Sequence, residues 1–217
     1  MKSPRIVSVD CSAAPDQSVI EDAVAVLRKG ALIVLPTETV YGLAADSGSS
    51  RAETRLFQAK QRSEAKPVSL LVSDCRQIEQ CGAELGDAER ELARRYWPGP
   101  LTLVLPVDRD GRFEGFRIPD HPVPLAVLKT IGCPLRVTSA NRTGEPPALS
   151  AESAVKALGR LVDLVLDAGP VQGGVPSTVV RLAGGTFQVL RDGAIPRREI
   201  AETCEKTGLS GKECEGA

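Results

Sequence analysis

Ala31-Leu32-Ile33-Val34-Leu35 is an apolar run that stops at a proline, and no other stretch limits the fold of this chain as strongly. It is short, rich in branched residues and closed by Pro36, which has no backbone donor, so it reads as a buried strand ending there. Thr37, Glu38 and Thr39 follow at the strand end, then Val40, Tyr41 and Gly42. Polar side chains in such a place are costly to bury unless something satisfies their oxygens. A bound ligand is one way to do that. The other is a strand-to-turn junction whose hydroxyls bond the local backbone.

The rest of the chain bounds what the ligand can be. The 217 residues suffice for one sizeable core, and the expectation is a single α/β domain over 1–207 with a flexible tail over 208–217. A net charge of −1 gives no overall pull toward nucleic acid or a membrane surface, so a polyanion site must be local. Aromatic residues make up 3%, too few for a base-stacking platform. The six cysteines form no Cys-x-x-Cys pair and His121 is the only histidine, which speaks against structural zinc and for reduced thiols. No apolar run approaches membrane-spanning length, and the N-terminus lacks a leader pattern, so the expectation is a cytoplasmic protein with no membrane partner.

Along the chain, Arg5–Val9 alternates as an edge strand, and Asp16–Arg28 has helical spacing with Asp16 or Ser18 as cap and Gly30 beyond its end. Gly42–Asp46 reads as a strand, and Ser49 or Ser50 caps a helix ending near Lys60. Val68–Ser73 reads as a strand, Cys75–Gln80 and Asp87–Tyr96 as helices, and Leu101–Leu105 as a strand after the Trp97-Pro98-Gly99-Pro100 break. Arg109–Gly115 reads as a charged loop. His121, between prolines, is expected to shape the turn into the next helix rather than to ligate a metal. Pro134–Val137 reads as a strand that gives way to Thr138-Ser139-Ala140-Asn141, and Ser150 caps a helix to Leu158. Strands at Leu164–Leu166, Ser177–Val180 and Phe187–Arg191 complete the pattern, with the glycine-rich loop Gly169–Pro176 between the first two.

Between Arg51 and Lys66 stand Arg51, Arg55, Lys60, Arg62 and Lys66 against Glu53 and Glu64, a local excess of positive charge. This is either a solvated helix end or a phosphate clamp. Neither a Gly-x4-Gly-Lys-Ser/Thr loop nor a Gly-x-Gly-x-x-Gly turn occurs, and one histidine without a Gly-x-Ser-x-Gly elbow argues against a Ser-His-Asp hydrolase. What remains is hydroxyls and amides at several strand ends together with Lys60, Arg62, Arg117, Arg142 and Arg191. Such a set suits phosphoryl or nucleotidyl transfer, which asks for positioning and positive charge more than for a nucleophile. Taken singly, Arg117 and Arg191 read more readily as surface ion pairs than as catalytic groups.

Seven segments occur in order: Pro36-Thr37-Glu38-Thr39-Val40-Tyr41-Gly42-Leu43, Lys60-Gln61-Arg62 with Lys66-Pro67, Trp97–Thr102, Arg117–Pro122, Ser139-Ala140-Asn141, Ser177-Thr178-Val179-Val180 and Leu190-Arg191-Asp192-Gly193. Together they closely resemble the threonylcarbamoyl-AMP synthase family in its single-domain, YrdC-like form, over about residues 19–200. The resemblance implies a twisted mixed parallel and antiparallel sheet flanked by helices around a large concave basic cavity. It implies an enzyme that joins L-threonine, bicarbonate and ATP, with magnesium, into threonylcarbamoyl-adenylate and pyrophosphate. A separate transferase would then use the product to modify tRNA. On the matching positions, Thr37, Arg117 and Ser177 would hold threonine. Lys60 and Arg62 would act on the phosphates, with Thr102, Ser139, Asn141, Thr143 and Arg191 on the nucleotide side and no metal ligand from the protein.

The chain departs from the family pattern at Leu70-Leu71, where many archaeal members carry a histidine, and at Thr143, where serine is common. It is also expected to lack the C-terminal domain of two-domain members. A different class of reading is a non-catalytic module using the same cavity for tRNA or double-stranded RNA, which needs neither stacking nor sequence contacts. A third is the carbamoyl-adenylate chemistry of hydrogenase maturation, whose accompanying modules are not expected here.

Overall fold

The computed structural model describes residues 3–61, 68–107 and 111–211. The chain runs β1 (Arg5–Ser8), α1 (Gln17–Arg28), β2 (Ile33–Leu35), β3 (Gly42–Asp46), α2 (Ser50–Lys60), β4 (Ser69–Leu71), α3 (Cys75–Gln80) and α4 (Asp87–Tyr96). It continues through β5 (Leu101–Pro106), β6 (Phe113–Arg117), α5 (Pro122–Ile131), β7 (Leu135–Ser139), α6 (Ala151–Leu158) and β8 (Leu164–Asp167). Last come β9 (Thr178–Ala183), β10 (Thr186–Arg191), α7 (Arg197–Glu205) and β11 (Ser210–Gly211). The strands form one sheet in the order β1-β8-β2-β3-β7-β4-β6-β5-β9-β10-β11. Parallel pairing (β1 with β8, β8 with β2, β4 with β6, β5 with β9) is mixed with antiparallel hairpins and ladders.

The apolar run of β2 is buried on both sides. Ile33 and Leu35 pack under α1 and α5, while Val34 packs with Leu43 and Val165 under α2 and α6. A strand covered by helices on both faces needs no polar alternation, which is why this run is continuous. At the other end of the sheet the helices cover one face only. Leu101, Leu103 and Leu105 of β5, Phe116 of β6 and Val189 of β10 pack against α3, α4 and α7. Thr102 lies between two of those leucines and therefore points to the opposite face.

Helix boundaries follow local chemistry. Asp16 caps α1, Ser49 caps α2, Asp74 caps α3 and Ser150 caps α6, each side-chain oxygen accepting from a first-turn amide. His121 caps α5, its Nδ1 accepting from Val123 N at 3.2 Å. Three elements differ from the sequence reading. Residues 113–115, read as loop, open β6, because pairing with β5 satisfies their backbone despite the glycine. The segment 197–205, for which no element was expected, is α7, with Ile200 and Cys204 buried in the core. The expected tail from 208 does not begin there: Leu209 packs on the core and Ser210–Gly211 pair with β10.

Candidate active site

The uncovered face of β5, β6 and β9 meets the strand ends of β2, β3 and β7 at a cavity of about 170 Å³. Thr37, Thr102, Arg117, Ser139, Ser177 and Arg191 all stand on its wall. The alternation of β5 and β6 brings Thr102 and Arg117 there. Gly115 lies between them, and a side chain at this position would press on Ser69 Oγ and Thr102 Cγ2.

Arg191 arrives by a different route. β9 and β10 pair Val180 with Val189 and then Val179 with Arg191, leaving Leu190 as an extra, exposed residue. This β-bulge turns Arg191 to the face opposite Val189, where simple alternation would have kept both on the core side. Its guanidinium donates to Ser177 O at 2.7 Å and Ser177 Oγ at 3.0 Å, and Ser177 Oγ is 2.8 Å from Thr102 Oγ1. Thr102, Ser177 and Arg191 thus form one connected wall.

The facing wall is the Thr37–Thr39 turn. Thr37 Oγ1 donates to Val40 O at 2.6 Å and accepts from Val40 N at 3.1 Å, so this hydroxyl does bond its local backbone. Thr39 Oγ1 instead accepts from Arg117 Nη2 at 3.0 Å. The same nitrogen donates to Glu38 Oε1 at 2.6 Å, and Arg117 Nε donates to Gly99 O at 3.1 Å. Arg117 is 7% exposed and forms a buried pair with Glu38, not a surface one.

Lys60, Asn141 and Thr143 gather behind the end of β7 and not on the cavity wall. Lys60 is buried, and its ammonium donates to Ser139 O at 2.7 Å, to Asn141 O, and to Asn141 Oδ1 at 3.1 Å. Asn141 Nδ2 donates to Arg142 O and Glu145 O, and Thr143 Oγ1 donates to Lys60 O at 2.6 Å. Lys60 is therefore neither a solvated helix end nor a cation on the cavity wall; it holds the turn that presents Ser139. Arg62 and the Lys66-Pro67 step lie outside the described residues. Arg142 donates to Ala157 O on α6 and faces away from the wall.

Sequence reasoning missed Ser69 and Thr138 as wall residues and Glu38 as the partner of Arg117. The Thr-Glu-Thr triplet carried a signal for Glu38; Ser69 opens a strand of three residues and carried none. The five described cysteines are free thiols. Burial pushes Cys133 and Cys204 up to about 11, away from nucleophilic chemistry at neutral pH. Among the described residues no group of three or more His, Cys, Asp or Glu forms a metal centre, and no helix is long and apolar enough to cross a membrane.

Known proteins share this fold. The Sua5/YciO/YrdC family model, described as telomere recombination, matches residues 25–193. The chain belongs to the Sua5/YciO/YrdC family. A Mycobacterium tuberculosis member is 41% identical over 204 residues, spanning 89% of this chain and 93% of its own. A Chromohalobacter salexigens member named threonylcarbamoyl-AMP synthase is 40% identical over 174 residues, 76% of this chain and 94% of its own. The crystal structure of P. abyssi Sua5 complexed with L-threonine superposes with a TM-score of 0.86 at 30% identity, over 98% of this chain and 65% of that one. This member of the family thus spans about two thirds of the P. abyssi Sua5 chain.

Proposed function

We propose that this protein is a threonylcarbamoyl-AMP synthase, joining L-threonine, bicarbonate and ATP with release of pyrophosphate. The observation that carries the reading is the buried Arg117 guanidinium beside the hydroxyls of Thr37, Thr39 and Ser177 in one small cavity. An arginine fork matches a carboxylate, and hydroxyls suit a small polar amino acid. The name borne by the relatives and the L-threonine held by P. abyssi Sua5 support the same assignment. On this reading ATP takes the side of the cavity formed by Ser139, Thr102 and Arg191.

The threonine ammonium gives up one proton, and the resulting amine bonds to the bicarbonate carbon with loss of water, leaving a carbamate. A carbamate oxygen then attacks the α-phosphorus as the bond to the pyrophosphate oxygen breaks. Arg117 anchors the threonine carboxylate so that the carbamate points at the phosphate, a positioning effect. Arg191, held against Ser177, faces the charge that develops there. Lys60 keeps Ser139 and Asn141 in place, and Arg62 acts on the phosphates as a cation from the following segment. Magnesium supplies charge neutralisation on the phosphates when bound. Among the described residues the cavity wall has hydroxyls and arginines and no carboxylate cluster, which fits a cation carried by the nucleotide. The product serves a separate transferase that modifies tRNA, in the cytoplasm.

The deciding experiment is pyrophosphate release from ATP with L-threonine, bicarbonate and magnesium added or omitted singly. Release that requires both threonine and bicarbonate is the expected result. Turnover indifferent to the amino acid, or RNA binding without turnover, overturns the assignment.

A further inference from the structure

We infer that Arg136, which lies off the cavity wall, is a positioning residue that sets the spacing of the three elements carrying the candidate site. Its guanidinium grips Glu114 of β6 in a two-pronged pair, Nη1 to Oε2 at 2.6 Å and Nη2 to Oε1 at 2.8 Å. Its Nε stands 3.0 Å from Glu53 Oε1 of α2, an ion pair without hydrogen-bond geometry, since among the described residues Nε has no hydrogen-bond partner, and Nη1 also donates to Val68 O at 3.1 Å. The side chains of Arg136 and Glu114 are 17% and 12% exposed, so the pair is largely shielded from solvent.

Each partner leads directly to the site. Glu114 lies three residues before Arg117 on the same strand, and Val68 is followed by the wall residue Ser69. Glu53 sits in the first turn of α2, whose last residue, Lys60, holds Ser139 and Asn141 at the other end of β7. Arg136 and Lys60 therefore fasten α2 to both ends of β7. Moreover, β4 separates β7 from β6 and pairs only from Ser69 onward. Arg136 is in register with Leu70 of β4, and its guanidinium reaches past the start of that strand, where Val68 O accepts from it, to Glu114 of β6. Apolar residues of similar volume stabilise a fold as well as a buried charge cluster does. What the planar fork adds is a set distance among three backbones, which a lysine ammonium cannot reproduce.

The inference rests on the synthase reading only for its activity readout. Arg136→Lys and Glu53→Gln are to be compared with wild type by thermal melting, by kcat and KM for ATP and threonine well below each melting temperature, and by substrate-free amide hydrogen exchange. The expected result for Arg136→Lys is a loss of at least about tenfold in kcat/KM for ATP. Faster exchange at Val68–Leu71 and Phe113–Arg117 accompanies it, and Glu53→Gln shifts both readouts the same way by less. A lowered melting temperature with kcat/KM within about twofold of wild type and unchanged exchange overturns the inference. Should wild type show no turnover, the synthase reading fails and exchange alone decides, unchanged rates at Val68–Leu71 counting against Arg136. Should Arg136→Lys not fold, Glu53→Gln, which leaves the Glu114 pair intact, decides by the same two readouts.

Discussion

Arg117 Nη2 donates to Glu38 Oε1 at 2.6 Å and to Thr39 Oγ1 at 3.0 Å, so one nitrogen of β6 holds two consecutive residues of the β2–β3 turn. Glu38 Oε2 is buried and, among the described residues, has no hydrogen-bond partner. The pair ties the turn to a strand three positions away in the sheet, about 14 Å in a flat sheet at about 4.8 Å per strand.

Removing the two partners has unequal consequences. Arg117→Ala leaves a carboxylate buried without compensation and is expected to destabilise by about 3–5 kcal/mol. Glu38→Gln keeps an acceptor for Nη2 and is expected to cost about 1 kcal/mol. Urea denaturation of the two variants checks the order, and equal losses would show that the pair is solvated.

Lys60→Ala removes the donor shared by Ser139 O and Asn141 O. A loss of about 1–3 kcal/mol in stability follows from the orphaned carbonyls. Turnover falls by about a hundredfold or more as the Ser139 turn loses its position. Near-normal pyrophosphate release from folded Lys60→Ala would take Lys60 out of the mechanism.

Gly193 packs so closely on the Pro176–Thr178 backbone that a Cβ would overlap Pro176 O and Thr178 N. Gly193→Ala is therefore expected to shift Ser177 and with it Arg191, lowering turnover by at least about tenfold while far-ultraviolet dichroism stays unchanged. Unchanged kcat in this variant would show that the wall tolerates displacement.

Burial pushes the His121 imidazole below its ordinary value, and its Nδ1 must be unprotonated to cap α5. The folded state thus prefers the neutral ring, while Glu38 and Asp120 oppose the shift. Stability from this group is fully present above about pH 6.5 and is lost as pH falls from there through the lower folded value. Wild type should therefore lose more stability than His121→Asn, which caps without titrating, between neutral and mildly acidic pH. Parallel slopes in denaturant melts across that window would refute the assignment.

Tyr41 is wholly buried, with its hydroxyl pushed up to about 12 by desolvation, and it donates to Gly169 O at 2.6 Å. It also accepts from Ala168 N at 3.2 Å, anchoring the start of the glycine-rich loop that reaches Thr39 through Gly174. Tyr41→Phe is expected to cost about 1–2 kcal/mol and to accelerate amide exchange at Ala168 and Gly169. A variant with native exchange there would place the anchor elsewhere.

Most elements were legible because their signals are local. Asp16, Ser49 and Ser150 announce helix starts within three residues, and the alternation of Leu101–Leu105 already sets Thr102 apart from its leucine neighbours. Candidate site residues could be named from ordered segments, yet their arrangement could not. α7 escaped because its mixed, charged composition hides Ile200 and Cys204, which the core selects.

The sequence by itself determined the buried β2 run, the polar turn after Pro36, the caps, and the set of hydroxyls and cations available to a site. Tertiary structure alone decided which way those groups face. Arg191 reaches the cavity because pairing of β9 with β10 leaves Leu190 unmatched, and a register shift belongs to two strands at once. Lys60 turns to Ser139 and Asn141, and Arg136 to Glu53, Glu114 and Val68, through contacts between residues far apart in the chain. Local periodicity carries no information about such partners, since they are set by how the sheet brings distant strands together.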